Sequence, residues 1–239
     1  MELKDYKKII GISYLVILFF AIFLIYYNQW GDYFSPEYLF SNKENLLELK
    51  NKYLFEISII FSFFTIVWTL FLGFSFPLFI LTGFFFDVLY GTILLLIGKT
   101  IGSTLLYIIA NIYFKKGVQN YFDQKHLIFK KAIQNIKKNE LSLLILTRFI
   151  PAPVQVCDLA PVLINAKVSN YIIAKFFGSL IPHLIIINMI RNFFEFYQEN
   201  DSLNINLFQS KEFLIAIVIF ILFLIVGKII KKKYLTNIN

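Results

Sequence analysis

Apolar residues gather along this chain in long runs, and the polar residues between them come in short charged clusters. A membrane-crossing helix needs about 20 consecutive apolar residues. Residues 9–27 meet that length, follow Lys4, Lys7 and Lys8, and end in Tyr26-Tyr27-Asn28-Gln29-Trp30. A signal peptide shares the basic flank, but no small-x-small cleavage site follows. The run is therefore predicted to be an uncleaved first span, with Tyr26, Tyr27 and Trp30 at the interface. Residues 28–56 are polar to amphipathic, and Ser41 with Glu44 fits a capping box opening a short interfacial helix. Residues 57–72 form a second apolar run.

The next stretch, 74–90, is apolar too, but Gly73 precedes it and Pro77, Gly83 and Asp87 interrupt it. Broken helices persist at membrane depth only where protein or a watery cavity covers the freed backbone groups. A re-entrant hairpin is predicted there. Residues 91–114 read as a clean span, with Gly91, Gly98 and Gly102 on one face. The Gly98/Gly102 pair lets another helix approach closely, and packing alone is the common reason for such a pair. In 115–138, Lys115, Lys116, Lys125, Lys130, Lys131, Lys137 and Lys138 alternate with Val118, Phe122, Phe129, Ile133 and Ile136. This predicts a basic amphipathic helix on an anionic leaflet.

A second broken segment, 141–163, contains Arg148, Pro151, Pro153, Asp158 and Pro161. A span follows over 168–191, with Gly178, Pro182 and His183 inside it. Residues 192–211 are polar and carry Glu195, Glu199 and Asp201; a last span over 213–230 ends at Lys228 and Lys231–Lys233. Lysine-rich loops face the cytoplasm. That puts 115–138 and the final lysines inside and 192–211 outside. The second broken segment then enters from inside and the first from outside. Counted with five spans, this leaves the N-terminus outside, against its own lysines. Either one predicted span does not cross or one hairpin crosses fully.

Composition sharpens the class. The chain is 58% hydrophobic and 19% aromatic, with a mean hydropathy of +0.69, above the roughly 45–50% apolar content of soluble domains. The fold class expected is all-α: transmembrane helices with two re-entrant helical hairpins. Three segments are expected: 1–56 (first span and interfacial segment), 57–191 (core), and 192–239 (external loop, last span and basic tail). A net charge of +8 usually suggests nucleic acid, but no soluble basic face exists to bind it. The single cysteine, Cys157, excludes an internal disulfide and a cysteine-rich metal site.

Charged residues inside apolar segments carry the candidate chemistry. Arg148 costs about 2.5–3.5 kcal/mol on insertion scales, so it must face a carbonyl, water, a carboxylate such as Asp158, or a lipid phosphate. Pro151 and Pro153 remove backbone donors just after it. Asp87 and Asp158 occupy comparable places in the two broken segments, as proton carriers, salt-bridge partners or helix caps. Lys99 either pairs with one of them or snorkels to the surface. His183 is a satisfied polar residue or a proton relay. Ser169 has no His/Asp arrangement beside it, and metal-ligand spacings, nucleophile elbows and phosphate-binding glycine loops are all missing. An enzyme is disfavoured and no cofactor or metal is expected.

Order and spacing point further. Pro77-x5-Gly83, Gly91, Gly98-x3-Gly102 and Tyr107, then Arg148-x2-Pro151, Lys167-Val168-Ser169 and Gly178-x3-Pro182 together resemble the DedA/VTT-domain superfamily, also called SNARE-associated Golgi proteins. The resemblance covers roughly residues 70–190. The chain departs from it at Asp87 and at Ile164, where the family commonly has glycine, and at Val154–Asp158, where asparagines are frequent. The resemblance implies an inverted repeat of two re-entrant hairpins, each followed by a transmembrane helix. It further implies movement of lipids between leaflets, in bacteria at the inner (plasma) membrane. The expected partners are membrane lipids, anionic phospholipid or polyprenyl phosphate; protons and a second copy of the chain are further candidates. On this reading Arg148 and Lys99 contact the lipid phosphate, and Asp87, Asp158 and His183 shape the groove or couple protons. Pro77, Gly83, Gly91, Gly98, Gly102, Pro151, Pro153, Gly178 and Pro182 supply breaks and close packing. The alternatives are a proton-coupled transporter of a small solute and a membrane assembly or trafficking protein.

Overall fold

Without water to pair its backbone, a chain in lipid must close its hydrogen bonds within each segment, and every regular element among the described residues is helical. The computed structural model describes residues 36–71, 73–125, 140–149 and 154–200. It also describes positions 12–14, 16, 17, 19, 20, 23 and 27 of the first apolar run and 214, 218, 221, 222, 225 and 229 of the last, all helical. The rest of the two terminal runs, residues 126–139 of the basic segment, Pro151 and Pro153 lie outside the described residues.

The elements are α1 (Pro36–Ser41), α2 (Lys43–Lys52), α3 (Leu54–Phe71), α4 (Phe76–Phe85), α5 (Val88–Tyr113), α6 (Lys115–Lys125), α7 (Glu140–Thr147), α8 (Val154–Leu159), a 3-10 turn (Ala160–Leu163) and α9 (Val168–Asn200). Three helices are long and apolar enough to cross a bilayer: Leu54–Phe71, Val88–Tyr113 and Val168–Glu195. Their outer surfaces suit lipid. Ile93, Ile97, Ile101 and Leu105 on α5 are exposed at four-residue spacing, as are Ile59 and Phe63 on α3 and Phe177 and Ile181 on α9. Gly98, Lys99, Gly102 and Ser103 face inward on α5.

Local chemistry sets the breaks. Gly73 ends α3 with φ 71° and an N–H to Trp68 O of 3.1 Å, the left-handed stop that glycine adopts without strain. Trp68 Nε1 donates to Phe74 O at 2.7 Å and ties the turn down. Pro77, expected as a break, instead sits in the first turn of α4, where its missing N–H removes nothing. The chain turns again at Phe86–Asp87 before α5. Two further expectations change. Ser41 does not cap α2: Asn42 holds that position without a side-chain cap, and Ser41 Oγ donates back to Tyr38 O at 3.0 Å. The 168–191 span continues as helix to Asn200 and runs through Pro182 unbroken. No glycine or proline follows to stop it, and Phe194 packs on Phe84 at 5.2 Å.

Side-chain pairs give the helix directions. Ser58 meets Tyr90 (2.8 Å), Gly98 lies against Thr65, and Gly102 lies against Ile66 and Thr69. The numbers rise together, so α3 and α5 are parallel. Lys99 meets Ser75, and Gly91 meets Thr82 and Phe86; α4 is antiparallel to both. α9 opposes α5, since Tyr107 stacks on Tyr171 while Arg191 reaches Phe86. In the second half, Glu140 accepts from Lys167 N and Asn170, and Arg148 and Ile145 lie beside Gly178. α7 is therefore parallel to α9. α8 and the 3-10 turn come back along it, from Asp158 beside Lys175 to Ala166 beside Tyr107. One end of the bundle carries Asp87 and Arg191; the other carries Asn165, held by Lys115 Nζ at 2.5 Å.

Gly98 and Gly102 set how closely α3 and α5 approach. A Cβ at Gly102 would stand 2.6 Å from Ile66 O, and one at Gly98 would stand 2.8 Å from Thr65 Cβ. Backbone cannot yield as a side chain can. Gly102→Leu is expected to lower stability by about 1–3 kcal/mol or more through overpacking. Gly117→Ala, where nothing lies within 4 Å, should be neutral or stabilising by up to about 1 kcal/mol through helix propensity. Thermal unfolding of the two variants in detergent checks this, and equal melting temperatures would contradict the close approach.

Candidate functional site

α7 stops at Thr147, and its last turn tightens: Arg148 N donates to Ile145 O at 3.0 Å and Phe149 N to Leu146 O at 3.1 Å. This places Arg148 at the foot of the second returning segment, level with Gly178. Gly178 lies roughly 15 Å into α9 at 1.5 Å per residue. A Cβ at Gly178 would stand 3.1 Å from Arg148 Cγ and 3.3 Å from Ile145 Cα, so the glycine leaves room for the arginine stem.

Arg148 Nη1 donates to Asp158 Oδ1 at 2.5 Å, and Lys175 Nζ donates to Oδ1 at 2.6 Å and Oδ2 at 2.9 Å. The three side chains are 2–4% exposed. Of the roles open to Arg148 on sequence, the structure realises the pairing with Asp158. The Tyr171 ring lies 5.5 Å from the guanidinium carbon and stacks on Tyr107 at 5.0 Å. The Tyr107 hydroxyl donates to Ala166 O at 2.5 Å, which fixes the aromatic pair against the returning turn. Among the described residues, Arg148 Nε and Nη2 are buried without a hydrogen-bond acceptor that meets ordinary geometry.

The first half supplies a further cation. Lys99 lies roughly 16 Å into α5 and is 2% exposed. It neither snorkels nor pairs with an aspartate. Its Nζ donates to Ser75 Oγ at 2.7 Å and sits 4.8 Å from the Phe79 ring centre. His183 meets the same ring edge-on at 5.0 Å, with both ring nitrogens buried. With Lys99 protonated, the group holds Lys99, Arg148 and Lys175 against Asp158 alone. Uncompensated charge away from water is expensive, and Lys99 has no carboxylate beside it among the described residues.

Asp87 and Asp158 do not occupy comparable places. The Asp87 side chain is 81% exposed at the end of the bundle, 3.4 Å from Arg191 Nη1, whereas Asp158 is buried. Asp87 stands at the start of α5, where the chain surfaces; Asp158 is in a segment that returns at depth. Gly83 and Gly91 lie at crossings: a Cβ would meet Ile190 Cγ2 at 2.7 Å and Thr82 Cγ2 at 2.7 Å, respectively. Sequence reading passed over Lys175, although it is the sole charge between Lys167 and Arg191 in that apolar run. The rule that singled out Lys99 applies to it equally. Ser75 and Tyr171 gave no such signal. Among the described residues, no group of three His, Cys, Asp or Glu side chains is placed to hold a metal.

The family model of the VTT domain matches residues 74–192, from just before α4 to within α9, and so takes in every residue of the buried group. No curated protein and no solved structure matches the chain.

Asp158→Asn leaves two buried cations without their carboxylate and is expected to destabilise by about 3–5 kcal/mol. Lys175→Met retains the Arg148–Asp158 pair and should cost far less. Combining the two should recover part of the Asp158→Asn loss. Additive losses in chemical unfolding of the three variants would mean that Lys175 and Asp158 are not coupled.

Proposed function

Given that residues 74–192 are a VTT domain, which makes this multi-pass integral membrane protein a member of the DedA/SNARE-associated Golgi protein family, we propose that it moves an anionic lipid between leaflets. The observation that carries this reading is the excess of basic groups at depth: Arg148 and Lys175 share Asp158, and Lys99 is buried with only the Ser75 hydroxyl for a partner. A lipid phosphate crossing hydrocarbon needs such a partner, and midway sites between repeats are where membrane carriers bind their cargo.

The helix directions support a matched pair of re-entrant hairpins. On this reading α3 and α4 enter and leave at the Asp87 end, and α7 with α8 enters and leaves at the Asn165 end. α5 and α9 then cross in opposite directions. α3 ends abreast of Gly102, while α5 runs on to Tyr113, roughly 16 Å further. Taking α3 as a hairpin arm also removes the conflict over orientation. Lys4, Lys7 and Lys8, the basic 115–138 segment and Lys228–Lys233 then share one face, as cytoplasmic lysines do. Tyr14 supports this placement: it packs on Phe71 at 5.4 Å and on Phe114 at 6.0 Å, which sets the start of the first run near the Asn165 end.

Asp158 acts in this mechanism as a resident counter-anion. In the closed arrangement it satisfies Arg148 and Lys175. An arriving phosphate competes for the same donors, and its departure returns them to Asp158. Lys99 has no carboxylate to release, so it is free to take the phosphate directly. Separation of the two hairpin tips would open the path between them.

Leaflet exchange of a labelled anionic phospholipid in liposomes tests the proposal. The intact protein should accelerate exchange over protein-free vesicles. Lys99→Met should slow it about ten-fold, the loss of one charge-assisted contact, without lowering the melting temperature. Exchange no faster than in empty vesicles, with proton-driven uptake of a soluble solute instead, would replace lipid movement with solute transport. Topology is checked in a Cys157→Ala background: Glu44→Cys and Asp87→Cys should react with an impermeant thiol reagent from one face, and Lys116→Cys from the other. Labelling of Glu44→Cys and Asp87→Cys from opposite faces would mean that α3 crosses.

A further inference from the structure

A second set of cations lies at the Asp87 end, apart from the buried group. Leu39 of α1 and Leu46 of α2 pack with Ile80, Phe84 and Phe194, which lays α2 across the ends of α4 and α9. In α2, Lys43, Leu47 and Lys50 fall at i, i+4 and i+7 on one helical face. That face covers a cleft of about 180 Å³, whose lining includes Lys43, Lys50, Arg191 and Glu195 over Phe84 and Phe194. Glu44 and Glu48 are not part of the lining. The helix thus brings Lys43 and Lys50 to the cleft and leaves these two glutamates out of it.

The four charges are not equivalent. Arg191 is already held: Nε donates to Glu195 at 2.6 Å, and Nη1 donates to Phe86 O at 3.1 Å and lies 3.4 Å from Asp87. Lys43 and Lys50 have no ion pair among the described residues. Burial, and then the charge of Arg191, holds the Lys43 ammonium below the ordinary lysine range, with Glu195 opposing. An anion between the lysines would relieve the repulsion and raise it again. The cleft is smaller than the roughly 300–1,000 Å³ of sites that enclose a drug-sized ligand, so it suits a headgroup rather than a whole lipid. Lysine ammonium groups bind phosphate as point charges, and the aromatic floor suits the glycerol and first acyl carbons of an amphiphile.

We infer that this cleft binds a phosphate group arriving at the Asp87 face, as a phospholipid headgroup or as free phosphate, with Lys43 and Lys50 as its recognition residues. The site does not depend on lipid crossing between leaflets. Its failure would leave the buried group untouched, and the reverse holds as well.

The test uses the full chain in nanodiscs of zwitterionic phosphatidylcholine, titrated calorimetrically with inorganic phosphate and with short-chain phosphatidic acid. Binding of at least one probe is expected, weakened about ten-fold or more in Lys43→Gln/Lys50→Gln, the loss of charged hydrogen bonds. Lys43→Arg/Lys50→Arg should keep it, and so should Lys52→Gln, which lies outside the cleft lining. Melting temperatures of all variants identify any that fail to fold, and the arginine pair then carries the comparison. Equal affinity for the two probes assigns the site to free phosphate; preference for phosphatidic acid assigns it to a headgroup. Binding of neither probe, or unchanged affinity in the glutamine pair, overturns the site.

Discussion

Asp158 accepts from two cations at once, and the second half of the bundle is built around that bond. A carboxylate taken out of water needs partners, and so do an arginine and a lysine. Asp158 returns on α8, Arg148 ends α7, and Lys175 lies on α9. One shared anion therefore fixes three segments against each other. The Tyr171 ring beneath the guanidinium and the Tyr107–Ala166 hydrogen bond extend the same junction to α5. Removing the carboxylate would leave like charges facing each other at close range.

The first half is held differently. Its helices meet through Gly98 and Gly102 on α5, which lie against α3, and through Gly91, which lies against α4. Apolar side chains gain little by meeting each other rather than lipid tails, so close backbone contact supplies the attraction. Lys99 is set into this tight assembly with a neutral hydroxyl for a partner. The two halves therefore differ in electrostatic character. One pairs its cations with a buried carboxylate, and the other sets its lysine against a hydroxyl.

At the Asp87 face the logic changes again, because water is near. Arg191 is divided between Asp87, Glu195 and a backbone carbonyl, and such exposed pairs contribute little to stability. Their effect is on shape and charge: they hold Arg191 still at the edge of a cleft whose lysines remain open. Phe84 and Phe194 beneath α2 make that cleft part of the same helix crossing that Gly83 permits.

Runs of apolar residues, the placement of lysines and the interruptions at 74–90 and 141–163 made the helical membrane class and two broken segments readable from residue order. Hydrophobic length and the expense of a charge in lipid are properties of a segment, and they need no knowledge of its neighbours. Arg148, Asp158 and Lys99 stood out for the same reason, and Lys175 could have. Their partners did not. Asp87 and Asp158 look alike in the sequence, yet one surfaces beside Arg191 and the other is buried between two cations. Pro77 looks like a break and begins a helix. The 57–72 run has the composition of a span and lies parallel to α5 beside a returning helix. Each of these outcomes turns on which helix lies alongside, and at what depth. Distances between remote residues set that, and no local pattern of side chains contains them.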